Sequence, residues 1–225
     1  MKQQLLMRIV VLMLSGLAAF SVSAAKDPTT LTIVVLGDSL SAGYGLDAKT
    51  GWVSLLEQRL KSQAPPDRVR DVDDWWNVIN YSVSGGTSAG GLAQLPEALE
   101  RYRPALVLIE LGGNDGLRGQ SIDAMRANLE KMADLCKAVG TTPVFFEMRI
   151  PSNYGPAFSE KFHQTIVDVA QEKKAPLVPF FLGKIAEDRK TWFQHDGIHP
   201  NAAAQPLLLD AILPTIEPLI AKHRY

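Results

Sequence analysis

The chain has 225 residues, 46% of them hydrophobic and 21% charged, with 23 basic side chains against 24 acidic ones. That length and apolar fraction suit one well-buried domain, and the balanced charge excludes a basic nucleic-acid surface and an acidic tail. A single cysteine, Cys136, excludes an intramolecular disulfide.

The first segment reads as a secretory leader, not as part of the fold. Met1 to Arg8 carries Lys2 and Arg8 without an acid, Ile9 to Phe20 is a short apolar run, and Ser21 to Ala25 supplies small residues for cleavage after Ala24 or Ala25. A spanning helix needs roughly 20 apolar residues, so no stable membrane anchor is expected. With no cysteine after the apolar run, a lipid anchor is not expected either. Residues 26–225 are then the mature chain, a monomeric single domain, periplasmic or secreted. Loss of Lys2 and Arg8 takes its formal charge from −1 to −3.

In chain order, Leu31–Leu36 is a β-branched run ending at a glycine and predicts a buried strand. Trp52, Leu55, Leu56 and Leu60 recur at helical spacing within Gly51–Gln63. A polar, proline-marked stretch from Ala64 ends in Asp71–Trp76, a loop whose acids and tryptophans are candidates for cation or substrate contact, with a solvated turn as the ordinary alternative. Further strands are predicted at Asn77–Tyr81, Ala105–Leu111, Pro143–Glu147 and Pro176–Pro179. Helices are predicted at Ser88–Tyr102, Ser121–Val139, Phe158–Lys174 and Asn201–Ala221. Cys136 continues the apolar stripe of Ile122, Met125, Leu129 and Met132, which marks it as a buried hydrophobe. Alternating strands and helices with long connections indicate an α/β fold with a parallel sheet.

In such a sheet, ligands bind beyond the carboxyl ends of the strands. Polar or glycine-rich signatures follow four of the strands, at Gly37–Ser41, Ser82–Ser88, Gly112–Gly116 and Arg149–Gly155, and a fifth, His195–Pro200, precedes the last helix. Ser39, on a tight turn after a strand, is the candidate nucleophile, and a serine hydroxyl needs an adjacent base. His199 is that base, and Asp196, on the same loop, is placed to orient it. The backbone N–H groups of Ser39 and Gly85 and the side chain of Asn114 are the candidate oxyanion donors. Protonated His199 cannot act as base, so activity is expected to fall below about pH 6–7.

Gly37-Asp-Ser-Leu40, the glycine block around Gly85, Gly113-Asn-Asp115 and Asp196-x-x-His199 together resemble the four sequence blocks of the SGNH, or GDSL, hydrolase family. The strings Glu110–Gly119, Asn153–Gly155, Pro179–Leu182 and Asp196–Asn201 narrow the resemblance to its periplasmic thioesterase and lysophospholipase branch, across essentially the whole mature chain. The resemblance implies a three-layer α/β/α sandwich around a five-stranded parallel sheet, flavodoxin-like in plan. It implies the roles already given to Ser39, Gly85, Asn114, Asp196 and His199, and a chemistry without metal or organic cofactor. The implied substrates are small-molecule esters: aryl and short to medium acyl esters, acyl-thioesters and lysophospholipids. Leu117, Arg118, Ile150 and Tyr154 are placed to line the acyl channel. Two departures stand out: Gly86 occupies a position where members of this branch have an acidic residue, and the stretch from Ala64 to Trp76 is longer than theirs. The alternatives are a carbohydrate O-acetylesterase of the same superfamily and a non-catalytic binding protein on the same fold.

Competing motifs are weaker. Gly86-Thr-Ser-Ala-Gly90 fits a G-x-S-x-G elbow with Ser88 as nucleophile, but too few strands precede it, and Thr87 and Ser88 stand where a helix N-cap belongs. Gly45–Thr50 fails as a phosphate loop because Ala48 replaces the required glycine. His195 and His199 are four apart, but Gly197 and Pro200 oppose the helix that a metal pair would need. His163 and His223 read as solvated helical residues.

Overall fold

The computed structural model describes residues 31–63 and 76–223. The expected leader and residues 71–75 of the acidic loop lie outside these. Strands β1 (Leu31–Gly37) and β3 (Leu106–Glu110) are aliphatic runs buried along nearly their whole length. That is the composition required of central strands covered on both faces. With β2 (Trp76–Asn80), β4 (Thr142–Phe146) and β5 (Leu177–Val178) they form one sheet, ordered β2-β1-β3-β4-β5, in which every pairing is parallel.

Helices α2 (Trp52–Ser62) and α8 (Gln205–Lys222) pack together over one face of the sheet. Helices α3 (Ser88–Tyr102), α5 (Ile122–Ala138) and α6 (Pro156–Glu172) pack over the other. The expected three-layer α/β/α architecture is thus present. The stripe of Ile122, Met125, Leu129, Met132 and Cys136 is wholly buried on α5, and burial pushes the Cys136 thiol up to about 12. Residues 202–222 are long and apolar enough to span a membrane, but Leu208, Ile212, Ile216 and Ile220 are buried in the core, against α2 and the sheet.

Several local expectations change. Trp76 opens β2 and is only 3% exposed, so this tryptophan belongs to the core and not to a substrate-facing loop. β5 is short because Pro176 and Pro179 flank it, and neither can donate to a ladder. The helices α1 (Ser39–Ala42), α4 (Gly113–Leu117) and α7 (Arg189–Trp192) are too short for periodicity to reveal. His163 is not solvated: it is half-buried, with Nε2 3.2 Å from Arg149 and Nδ1 3.6 Å from Glu147. The exposed His223 sets its ring edge-on to Trp76 at 6.1 Å.

Candidate active site

The order of the strands reverses between β1 and β3, and that is where a doubly wound sheet opens a crevice at its carboxyl edge. Ser39 follows β1, and Asn114 lies on α4 just after β3. The turn into α1 depends on Gly37. A Cβ there would lie 2.7 Å from Ser41 Oγ and 2.8 Å from Glu110 Oε2, so a side chain would displace both. Asp38 then caps α1, its Oδ1 accepting from Leu40 N at 3.0 Å. Ser39 is left as the first helical residue, where a backbone N–H has no partner within the helix.

The histidine reaches Ser39 from the loop before α8. Phe193 and Pro200 form an antiparallel bridge, Gln194 N donates to His199 O at 2.8 Å, and Gly197 turns the chain at φ 65°. Within this loop Asp196 Oδ1 accepts from Ile198 N (2.9 Å) and His199 N (3.0 Å), while Oδ2 lies 2.6 Å from His199 Nδ1. His199 Nε2 is 2.8 Å from Ser39 Oγ. Burial tends to raise Asp196, but the His199 side chain and the two backbone N–H groups outweigh it and hold the carboxyl down at about 2. An ionised carboxylate only accepts, so Nδ1 carries the proton and Nε2 is free to accept from the serine hydroxyl. Both ring nitrogens of His199 are thereby engaged, while His195 is exposed. No three metal-ligating side chains cluster among the described residues.

The three expected oxyanion donors each keep an N–H without an intramolecular acceptor. Neither Ser39 N nor Gly85 N donates to another described group. Gly85 has φ 76°, a left-handed conformation that favours glycine. Asn114 Nδ2 gives one of its two N–H bonds to Asp38 Oδ2 at 3.0 Å, leaving the second available. At Gly86 a Cβ would lie 2.8 Å from Val83 O and 3.2 Å from Gly37 O, so the bare α-carbon lets this loop close onto the end of β1.

Ser88 has no such freedom. It is fully buried, its Oγ donates to Asp115 Oδ1 at 2.5 Å and accepts from Asn128 Nδ2 at 2.9 Å, and its N–H donates to Asp115 Oδ2 at 2.9 Å. Thr87 alone caps α3, accepting from Gly90 N. The residues expected to line an acyl channel occupy different surroundings. Leu117 and Tyr154 are exposed, Ile150 is buried, and Arg118 Nη2 donates to Gly85 O at 3.1 Å.

Two neighbours were not singled out in the sequence. The Tyr44 ring lies 4.6 Å from that of His199, tilted by 40°, and nothing in Gly43-Tyr-Gly45 marks it except proximity to Ser39. Glu110 sits beneath Asp38, fully buried, and a charged residue ending the apolar run from Ala105 was a readable signal.

A doubly wound parallel sheet with a serine, a histidine and an aspartate in line at its switch point defines the class as serine hydrolase. Residues 35–206 match the GDSL-like Lipase/Acylhydrolase family, and the chain belongs to that family. It is 44% identical over 209 residues to Esterase TesA of Pseudomonas aeruginosa, covering 93% of this chain and 98% of that protein. It is 39% identical over 189 residues to thioesterase 1/protease 1/lysophospholipase L1 of Escherichia coli K12, covering 84% and 85%. Among solved structures it is similar to the psychrotrophic esterase EstA of a Pseudoalteromonas species, inhibited by monoethylphosphonate. That match has a TM-score of 0.76 and 38% identity, covering 84% of this chain and 98% of EstA.

Proposed function

We propose that this protein hydrolyses carboxylic esters and thioesters through an acyl-enzyme formed on Ser39. The observation that carries the reading is the hydrogen-bonded line from Ser39 Oγ to His199 Nε2 (2.8 Å) and from Nδ1 to Asp196 (2.6 Å). Ser39 Oγ attacks the carbonyl carbon as its proton passes to His199 Nε2, and Asp196 stabilises the imidazolium. The oxyanion settles against Ser39 N–H, Gly85 N–H and the second N–H of Asn114. His199 protonates the departing alcohol or thiol, then deprotonates the water that releases the acid and restores Ser39.

The family to which residues 35–206 belong supports acyl substrates: aryl and short to medium acyl esters, acyl-thioesters and lysophospholipids. The names of the two relatives agree with that range. A p-nitrophenyl ester assay with fluorophosphonate labelling tests the nucleophile. Ser39→Ala should lose labelling and retain only the roughly 10³–10⁴-fold over water that an oxyanion site can give alone. Ser88→Ala should still label, with stability lowered by about 1–3 kcal/mol because buried Asp115 and half-buried Asn128 each lose a hydrogen-bond partner. Labelling that survives Ser39→Ala and vanishes with Ser88→Ala would reverse the assignment. A set of acyl chain lengths, a lysophospholipid and an acetylated sugar then orders the substrates, and preference for the sugar would favour the O-acetylesterase alternative.

The leader reading extends the proposal to an exported monomer. Mass spectrometry of protein recovered from an expressing bacterium should give a chain starting at Ala25 or Lys26, and light scattering one species of that mass. An uncleaved Met1 chain would refute export by cleavage.

A further inference from the structure

Glu110 is the described carboxyl most deeply withdrawn from solvent, and hydrolysis as proposed gives it no step. It ends β3 opposite Gly37, with Oε2 accepting from Ser41 Oγ at 2.7 Å and from Asp38 N at 3.3 Å. Its other oxygen, Oε1, is buried without any donor facing it. Asp38 is 3% exposed, and the bond from its own N–H to Glu110 makes the two buried carboxyls neighbours, so that one of them is most stable with its proton kept. No lysine or arginine bonds to either group among the described residues, and the cation acting on Asp38 is His199 when charged.

We infer that Glu110 is a neutral carboxylic acid that donates its proton to Asp38, leaving Asp38 as the carboxylate that aims Asn114 at the oxyanion. Asp38 is the ionised partner because each of its oxygens already accepts from an N–H donor, Oδ1 from Leu40 N and Oδ2 from Asn114 Nδ2. In Glu110 both donors fall on Oε2 and none faces Oε1, which leaves Oε1 to carry the proton. Burial and the neighbouring Asp38 charge hold it well above the usual carboxylate range, whereas Asp38, also raised by burial, is drawn back by Leu40 N, the Glu110 bond and Asn114. Glu110 is thus a positioning residue: it never meets substrate, and its proton sets the charge that orients the amide. The inference rests on the oxyanion role proposed for Asn114.

The test compares Glu110→Gln and Glu110→Met with Asn114→Ala, and follows the protonated-carboxyl stretching band by infrared spectroscopy in deuterium oxide. Glutamine keeps a donor for Asp38 and an acceptor for Ser41, so it should stay within a few-fold of wild-type kcat. Methionine supplies neither and should lower kcat by about 10²-fold with KM little changed, approaching the loss in Asn114→Ala. The band should be present at neutral pH in the wild type and absent in Glu110→Gln. The inference is overturned if glutamine is as damaging as methionine, if folded Glu110→Met keeps kcat, or if the wild type lacks the band. Should the methionine variant not fold, the glutamine kinetics and the band decide. The band also reads Glu110 when no substrate turns over, so failure of the hydrolase reading stays distinct from failure of this one.

Discussion

Cys136 and Glu110 are both buried titratable side chains, and their surroundings give them opposite fates. Cys136 lies in the apolar stripe of α5, where burial alone lifts its thiol to about 12. Only the thiolate reacts, so the native protein should resist a disulfide-exchange reagent at pH 8 and react on unfolding in urea. Rapid modification of folded protein would contradict the packing. The two serines divide in the same way. From sequence, Ser39 and Ser88 each sit in a recognisable nucleophile motif, and the choice rested on context. The structure separates them by hydrogen bonding: Ser39 faces an accepting imidazole nitrogen, while both capacities of the Ser88 hydroxyl are consumed by Asp115 and Asn128. Tyr44 and Asp38 were not legible, because their parts depend on what other segments bring beside them. Asp196 also fixes an acid-side limit. Its pKa lies below the ordinary carboxylate value, so the hydrogen bonds its carboxylate accepts favour the fold above about pH 4 and are given up only as pH falls through about 2.

Among the elements, α4 is a single short helix that carries Asn114 and Asp115. Such a helix has little stability of its own and is held by what lies under it. Phe162 of α6 is that support: it is fully buried, with its ring edge 2.8 Å from where a Cβ on Gly116 would lie. Phe162→Ala should destabilise by about 3–5 kcal/mol, read as a lower urea midpoint at unchanged m-value. A loss under about 1 kcal/mol would mean that the site does not lean on α6 in this way. The long elements could be read from sequence because burial imposes a period on many residues at once. Short α1, α4 and α7 could not, since so few residues show no period, and the side-chain partners of α1 and α4 come from distant segments: Asp38 answers to Glu110, and Asp115 to Ser88.

For the whole molecule, the parallel topology gathers loops from remote parts of the chain onto one rim. That polar signatures follow four of the strands could be read from the alternation of strands and helices alone. What could not be read was the order of the strands, which places the ends of β1 and β3 side by side and so puts Ser39 next to Asn114. The bracing across the molecule was equally hidden. Buried Gln205 accepts from Trp52 N at 3.0 Å and donates to Pro200 O at 3.4 Å and Asn201 O at 3.3 Å, tying α2 and α8 to the histidine loop.

That loop has a consequence for how the machinery is divided. Phe193–Pro200 closes on itself through its own bridge and turn, and Asp196 and His199 take their mutual geometry from backbone groups inside it. The proton-handling half is therefore a self-contained cassette, and the acyl-holding half belongs to the sheet. They meet at the hydrogen bond from Ser39 to His199 and at a second from Gln194 Nε2 to Tyr44 O at 2.8 Å. Each half can be exchanged or retuned without rebuilding the other, provided the seam between them still closes.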